Sequence, residues 1–513
     1  MAEKGTLNLF LIKCIKIDLL LKVLKRNNFN NLLIPLIGGC AGGYAVSNSL
    51  WIIFMPLSLT ILWTGFDKGF SNFLWGLSFI LASHYWLLYL HPLTWLGFSW
   101  IISLFITTII YFGCAMVGGC LIFLWGYIAQ KLINKKYIFS GNIIDIILKI
   151  LFLCFLWAFG ELILSQTPFF WIGIGDSLIP GDFYLAGLAR WIGSTGLCVL
   201  QLFMGFWIFC LFEKWKRNLQ IKGLFFWGII ALVVLHLLGI FLTPPESLDS
   251  EYPVFIWQTN TPTREKLLID NKTMNEKILN IQERALSKNA LLLIAPEGTL
   301  RSDFVFNFPS KINTLAGGFR RFKNQLRSSL LFFEKGEKLF SGFIDKNRLV
   351  PIGEKYPKVF NKFKGISSVG GIQPGPKSRY FALNNLPNFA IAICYEISDG
   401  LKIRAAIRSG AEMILAIANL DPYPKKIHDQ FISIASMRSI ENNRETIIAS
   451  NTGPSGLIRS DGKIDKLIEK NILDNITVYP NKISENTFYN NFGLKILTII
   501  FILLIVVNFF ISI

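Results

Sequence analysis

The chain has 513 residues, 52% of them hydrophobic and only 16% charged, against about a quarter charged in soluble globular proteins. With a mean hydropathy of +0.47, this excludes a purely soluble enzyme and a disordered or fibrous chain. The net charge of +18 does not argue for nucleic acid, because many basic residues flank apolar segments, where they fit an anionic membrane surface.

The charge is unevenly placed. Residues 32–243 hold 16 charged residues in 212 positions, whereas 244–492 hold 59 in 249. Two chemically different bodies are therefore expected to join near 244, the second long enough for a core of its own. Seven of the eight cysteines precede 244, and the second body has only Cys394. No disulfide can form within it, and no Cys/His cluster suggests a metal.

In chain order, 1–31 is a basic N-terminal segment. Its apolar stretch from Leu7 to Lys25 carries interspersed lysines and no cleavage-site pattern, so an interfacial helix is expected rather than a removed signal peptide. Residues 32–243 read as a polytopic α-helical membrane domain with spans near 32–48, 49–66, 72–90, 97–129, 148–166, 191–212 and 223–243. An eighth span is expected within 493–513. The first two are short, and the fourth is long enough to be tilted or split.

The basic residues orient these spans. With a cytoplasmic N-terminus, the inner segments 1–31, 67–71, 130–147 and 213–222 are rich in Lys and Arg. The outer loops 90–96 and 167–190 carry only Arg190. The asymmetry places both termini in the cytoplasm and 244–492 outside it, which is the periplasm in a bacterium with two membranes.

The second body alternates strand-like runs (254–259, 291–295, 329–333, 339–344, 389–394, 412–418, 446–450) with helical patterns (264–288, 310–328, 400–409, 427–443). An α/β layered domain is expected.

Three places in it carry possible chemistry. The apolar run Phe389–Ile393 ends at Cys394, delivering a thiol to a strand's C-terminal edge, where α/β sites are usually built. A buried structural thiol is the plainer alternative. A cysteine nucleophile needs a partner, since a free thiol with pKa of about 8.5 is mostly protonated at neutral pH. His428 is the only histidine in this body, and its polar setting suggests a surface or helix-capping role. The other partner is a carboxylate. Leu291–Ala295 ends at Pro296, and Glu297 follows; an acid at an apolar edge can serve as a base. In the third place, Lys346 follows a strand-like run and Glu354 follows a Pro-x-Gly bend. Each of these residues alone could be an ordinary loop charge.

Taken in order, strand-Pro-Glu297, then Lys346-x-x-Leu-Val-Pro-x-Gly-Glu354, then Ile393-Cys394-Tyr395-Glu396, the pattern resembles the nitrilase superfamily. It is similar to the membrane-embedded apolipoprotein N-acyltransferase branch, whose layout is a nitrilase-like domain inserted between seven spans and a last one. Thr167–Gly173 is similar to that branch's Gly-Phe-Pro-Trp region and Ile256–Asn260 to its domain-opening strand. The sequence departs from the branch at Ile344 and Arg348, where Tyr and His are usual, at Asn419-Leu420-Asp421-Pro422-Tyr423, where Asn-Asp-x-Trp-Phe is usual, and at Leu164, where arginine is frequent.

The resemblance implies an αββα sandwich and a Glu-Lys-Cys triad: Glu297 as general base, Lys346 as oxyanion stabiliser, Cys394 as nucleophile. Glu354 would support Lys346 or the incoming amine. The Tyr395 backbone would be a further oxyanion donor, and Trp257 and Glu396 substrate-binding residues. Phe169–Trp171 would line the acyl path or anchor the interface, and Glu161 would be functional or would hydrogen-bond between helices. The implied reaction moves an acyl chain from a phospholipid, expected to be phosphatidylethanolamine, through a Cys394 thioester to the amine of a diacylated apolipoprotein. It needs no cofactor and no nucleic acid. The rivals are a membrane-tethered amidohydrolase using the same triad, and a transporter or scaffold with an inactive outer domain.

Overall fold

The computed structural model describes residues 30–94, 98–244, 250, 252–266, 268–351, 354, 371–384, 386–421 and 423–511. The expected interfacial helix near the N-terminus, Ile352, Gly353 and Pro422 lie outside the described residues.

Among the described residues the apolar half has seven longer helices, α1 (Asn30–Ala45), α2 (Trp51–Thr64), α3 (Gly69–Ser83), α4 (Trp100–Leu132), α5 (Ile143–Leu164), α6 (Ala189–Lys216) and α7 (Lys222–Leu242), with the short helices Lys135–Ser140 and Phe183–Ala186 between them. An eighth apolar helix, Leu494–Ile511, follows the second body. Five of the eight are long and apolar enough to cross a membrane: α4 to α7 and the last. Of the about eight expected spans, five have the length and composition to cross a membrane. Helices α1 to α3 have 14 to 16 residues, or about 24 Å of helix at most against about 30 Å of hydrocarbon. The third expected span stops at Ser83 because the chain turns there into the 3-10 segment Tyr85–Leu90. The fourth is one continuous 33-residue helix rather than two.

Small residues bring the short helices together. A Cβ on Gly39 would stand 2.1 Å from the Trp75 carbonyl oxygen, and one on Gly43 2.4 Å from that of Phe79. This spacing of four lets the backbones of α1 and α3 touch.

The second body is built on β1 (Val254–Gln258), α8 (Asn271–Ser287), β2 (Leu292–Ala295), β3 (Asn313–Phe322), β4 (Gln325–Phe333), β5 (Gly342–Asp345), β6 (Tyr380–Phe381), β7 (Phe389–Ile393), α9 (Gly400–Arg408), β8 (Met413–Ala418), α10 (Lys425–Asn442), β9 (Thr446–Ser450), β10 (Ser455–Ile458), β11 (Ile464–Ile468) and β12 (Asp474–Val478). The last helix, Leu494–Ile511, is then α11. The strands form two six-stranded sheets, β12-β1-β2-β3-β4-β5 and β11-β10-β9-β8-β7-β6. Each has a parallel centre, β1-β2-β3 in one and β7-β8-β9 in the other, flanked by antiparallel strands.

The alternation of side chains builds the layers. Val254, Ile256, Leu292 and Ile294 meet Phe389, Ile391, Ile393 and Leu415 between the sheets. On the outer face of the first sheet, Phe255 and Trp257 pack under Ile278 and Ile281 of α8. On the outer face of the second, Ala390, Ala392 and Ala416 present small residues to α9 and α10. The result is an αββα sandwich, as expected.

Two expected elements are corrected. Residues 310–328 are not helical; they belong to the β3–β4 hairpin. Lys323 and Asn324 both take positive φ, 49° and 62°, which makes the tight turn that suits the strand twist. The pattern 264–288 is broken: a short helix Thr263–Lys266 precedes α8, whose start is capped by Asp270 accepting from the Thr273 N–H at 2.8 Å.

Helix α10 joins the two bodies. Its Gln430 accepts from Trp171 Nε1 at 2.9 Å and donates to the Ser83 carbonyl at 2.8 Å. Arg438 pairs with Asp176, and Glu441 accepts from the Ser194 N–H at 2.6 Å. Arg190 is not a free loop charge: it is buried and donates to Asn443 Oδ1 and the Ser460 carbonyl, both at 2.7 Å. One apolar cluster runs without a break from Trp63 and Leu202 through Trp171 and Ile179 to Phe431, Ile434 and Ala416.

Candidate active site

Four strands of the sandwich each end where a polar residue stands in the same small region. Glu297 follows β2, Lys346 follows β5, Cys394 follows β7 and Asn419 follows β8. Strands β2, β7 and β8 are apolar and buried along their whole length, so the residues just past their ends are the first that can face a ligand.

Lys346 is the centre. Its side chain is 1% exposed, and Nζ donates to Glu297 Oε1 and to Glu354 Oε1, each at 2.8 Å. Glu297 Oε2 accepts from the Asn419 main-chain N–H at 3.0 Å. Glu354 Oε2 accepts from the Val350 N–H at 2.8 Å. A Cβ on Gly317 would lie 2.5 Å from the Glu297 Cα, so only glycine lets β3 pass behind the acid. Lys266 Nζ donates to the Glu297 carbonyl at 3.2 Å from the other side. Burial lowers the Lys266 pKa to about 8, against the pull of Glu297 and Asp421.

The electrostatics follow from two acids and one base in a dry place. Burial works against the Lys346 ammonium, yet Glu297, Glu354 and Cys394 outweigh it and hold its pKa well above the ordinary range. Burial likewise raises the Glu354 carboxyl, opposed by Lys346.

Cys394 takes φ of 54°, a left-handed conformation that costs about 1–3 kcal/mol in a residue other than glycine. The turn lifts the thiol off the strand line and toward Glu297, Lys346, Glu354 and the Asn419 N–H, the groups that act on its charge. Burial pushes the thiol well above its ordinary value, Glu297 adds to this, and Lys346 only partly offsets it. Cys394 therefore rests as a thiol and needs a base in the reacting step. Its alkylation by iodoacetamide, followed by peptide mapping, is expected to keep accelerating above about pH 9 instead of levelling near the free-thiol value of about 8.5. A plateau below that value would contradict this electrostatic picture.

Glu396 does not present a free carboxylate to substrate. It is 2% exposed and pairs with Arg379 at 2.9 Å. It also accepts from the N–H groups of Asn347 (2.7 Å), Arg348 (3.1 Å) and Ile393 (3.0 Å). Its expected substrate-binding role is thus corrected: both oxygens are committed, and the residue ties the cysteine turn to the loop that carries Lys346. Glu396→Ala strands Arg379 and is expected to cost about 3–5 kcal/mol, read as a lower melting temperature in detergent. Melting within a degree of the unsubstituted protein would count against this role.

Trp257 is also not where a substrate chain could reach a free face. It is 5% exposed in the layer between β1 and α8. His428 is corrected from a surface role to a buried one, at 3% exposure. Burial lowers its imidazole to about 4, so it is neutral, and it is not among the groups acting on Cys394.

Tyr395 and Arg348 face the membrane body. The Tyr395 hydroxyl donates to the Pro168 carbonyl at 2.9 Å and to that of Phe170, and its ring stacks on Trp171 at 5.4 Å. Arg348 lies 4.4 Å over the same ring and donates to the carbonyls of Thr167 and Phe170. The departure at Arg348 thus has a structural use, as a clamp on the 167–171 loop. Ile344 fills the space between the sheets. Phe169 is 82% exposed whereas Trp171 is buried. Glu161 accepts from Trp157 Nε1 and from the Ile174 N–H, so it fastens α5 to the following loop.

Sequence reasoning gave no site role to Lys266 or Asn419. For Asn419 a signal existed, an apolar strand ending at a polar residue. Lys266 sits in a polar run with nothing to single it out. Among the described residues no group of three or more His, Cys, Asp or Glu could hold a metal ion.

Proteins named apolipoprotein N-acyltransferase are similar over most of the chain. One from Prochlorococcus marinus subsp. pastoris is 54% identical over 487 residues, covering 95% of this chain and 98% of that one. One from another Prochlorococcus marinus strain is 42% identical, covering 87% and 90%. One from Parasynechococcus marenigrum is 37% identical, covering 85% and 92%. Among solved structures, an amidase from Nesterenkonia aligns with TM-score 0.36 at 13% identity, over 49% of this chain and 97% of that one. A nitrilase-superfamily member from Saccharomyces cerevisiae aligns with TM-score 0.35 at 15% identity, over 44% and 89%. No family model matches.

Proposed function

This chain belongs to the apolipoprotein N-acyltransferase family, and from that premise we propose that Cys394, Glu297 and Lys346 carry out the N-acylation of lipoproteins through a thioester. The family name fits neither an amidohydrolase nor a transporter with an inactive outer domain. The observation that carries the reading is Lys346, held between Glu297 and Glu354 beside the Cys394 thiol.

In the first half-reaction Glu297 takes the thiol proton as Cys394 Sγ attacks the ester carbonyl of a phospholipid, with phosphatidylethanolamine as the donor. The carbonyl oxygen becomes negative, and Lys346 has one N–H left over from its two carboxylates to meet it; the N–H of Tyr395 is the second donor. Such donors are worth about 3 kcal/mol each. The C–O bond breaks, and Glu297 returns the proton to the departing lysophospholipid alkoxide. In the second half-reaction the α-amine of a diacylglyceryl-cysteine attacks the thioester. The amine nitrogen loses a proton to Glu297, an amide forms, and the proton passes to the departing thiolate. Splitting the transfer makes each barrier smaller. Glu354 keeps Lys346 in line.

The four-part division read from the sequence, 1–31, 32–243, 244–492 and 493–513, suits this reaction, because both substrates are lipids. All eight apolar helices would lie in the bilayer of the inner membrane, with α1 to α3 as short crossings packed against longer neighbours. The sandwich would face the periplasm and both termini the cytoplasm. Two observations support this: the excess of Lys and Arg in 130–147 and 213–222, and the docking of α10 on Ser83, Asp176 and Ser194, which lie at the opposite helix ends.

Incubating the protein with phosphatidylethanolamine vesicles is expected to add one acyl mass to Cys394, removable by hydroxylamine and absent in Cys394→Ala. A diacylated lipopeptide should then discharge it. Unmodified protein after incubation would refute the thioester, and discharge by water alone would point to hydrolysis.

A further inference from the structure

The end of the helix bundle away from the sandwich holds a cavity that the reaction does not use. Helix α5 meets the sandwich at its Leu164 end, where the following loop accepts hydrogen bonds from Tyr395 and Arg348. Its 22 residues span about 33 Å, so its Ile143 end stands at the opposite membrane surface. There the link from α4 to α5 encloses about 240 Å³, with Gln130, Lys131, Asn134, Tyr137 and Lys149 in its lining. One water takes up about 30 Å³ of liquid, so this is far more than a hydration site.

The polar groups of the lining are mostly donors without acceptors. Lys149 lies about 9 Å inside α5 from its start, and its side chain is 14% exposed. An ionisable residue at such a depth is costly and marks a functional place by default. Its Nζ stands 5.0 Å over the Tyr137 ring and pairs with Asp145 at 2.9 Å, so one acid offsets one cation and two ammonium hydrogens stay free. Lys131 Nζ stands 5.6 Å over the Tyr127 ring and has no acid partner among the described residues. The Asn134 side-chain oxygen accepts from the Tyr137 N–H at 2.8 Å. Among the described residues its NH2 and that of Gln130 have no partner. The other acids near this end are spent as well, Asp67 on Lys135 and Glu213 on Arg217. Leu132 and Ile133 complete the lining. A pocket that is cationic on one side and apolar on the other, at the end of two membrane helices, suits a lipid headgroup with its glycerol root better than a free ion.

We propose that this cavity binds the phosphate headgroup of an anionic phospholipid in the leaflet away from the sandwich. Lys131 and Lys149 take the phosphate oxygens, and the amides of Gln130 and Asn134 add hydrogens. The lipid would pin the α4–α5 link in place. The inference goes beyond the acyl transfer and does not depend on the thioester.

The test uses the full chain in dodecyl maltoside with dialkyl phosphatidylglycerol, whose ether-linked chains cannot acylate Cys394. Native mass spectrometry reads the lipid retained, and a melting curve reads its effect. The wild type is expected to retain one such lipid, to melt higher with it, and to prefer it to dialkyl phosphatidylcholine. Lys131→Gln and Lys149→Gln should each weaken retention about 10-fold. Lys136→Gln removes an exposed charge outside the lining and should bind as the wild type does. An equal loss in Lys136→Gln would show that surface charge alone does the binding and would overturn the inference. Equal retention of the phosphatidylcholine overturns it too, as does inorganic phosphate that raises the melting temperature as far as the lipid does. Wild-type retention in Lys131→Gln overturns it even where Lys149→Gln fails to fold. Adduct formation on Cys394 from phosphatidylethanolamine should persist in Lys131→Gln, so failure of the thioester reading is seen separately.

Discussion

Lys346→Met is expected to lower the acylation rate about 1,000-fold and to destabilise the protein by about 3–5 kcal/mol. Methionine fills the same volume but removes the cation between Glu297 and Glu354, which stand on either side of it at 2.8 Å each. Two buried carboxylates without a counter-charge cannot both stay ionised, so one takes up a proton. The sign with pH follows. Burial already raises the Glu354 carboxyl, and without the opposing pull of Lys346 it is raised further, so stability is retained where folded and unfolded states are both protonated and is lost as pH rises. The melting deficit should therefore shrink between about pH 8 and pH 5. Lys346→Arg keeps the charge but not the compact ammonium; it should recover much of the melting temperature and little of the rate. A methionine variant that forms the Cys394 adduct at the wild-type rate would remove Lys346 from the chemistry.

Glu297→Gln is expected to slow adduct formation by about 100- to 10,000-fold, the range for loss of a positioned base. The amide has the size of the carboxylate but cannot accept the thiol proton. It also turns an NH2 toward either Lys346 or the Asn419 N–H, where only an acceptor fits. Because Cys394 rests as a thiol, the loss of this base is felt at neutral pH. Iodoacetamide at high pH, where hydroxide makes the thiolate, should still modify Cys394 in this variant, which separates loss of the base from loss of the fold. A rate within tenfold of the wild type would exclude Glu297 as the base.

Much of this site could be read from the chain because strands buried on both faces are continuous apolar runs. Leu292–Ala295, Phe389–Ile393 and Met413–Ala418 are of that kind, and the polar residues after them are what the strands deliver. Lys346 follows a weaker run, yet its spacing to Glu354 marked it. Other features were hidden for physical reasons. The β3–β4 hairpin has one exposed end, with Arg320, Arg321 and Lys323 near its turn, and a charged amphipathic stretch of that length mimics a helix. Strands β10 to β12 are short, and β11 and β12 lie at sheet edges, partly exposed. Glu396 looked like a ligand group because its partners, Arg379 and the N–H groups of Asn347 and Arg348, lie 17 and about 49 residues away in sequence. Trp257 looked available because one residue in a β-strand gives no sign of which layer covers it.

The apolar cluster that passes unbroken from Trp63 to Ala416 has a bearing on how this protein can be handled and how it could have diversified. Clipping the chain on either side of the sandwich would not set free a soluble catalyst. The released piece would turn Phe431, Ile434 and the buried flank of α10 outward to water, and the helices left behind would lose the lid over Trp171 and Ile179. Swapping in a catalytic half from a distant relative would meet the same obstacle, because the seam is packed from the same apolar cluster as the membrane body itself.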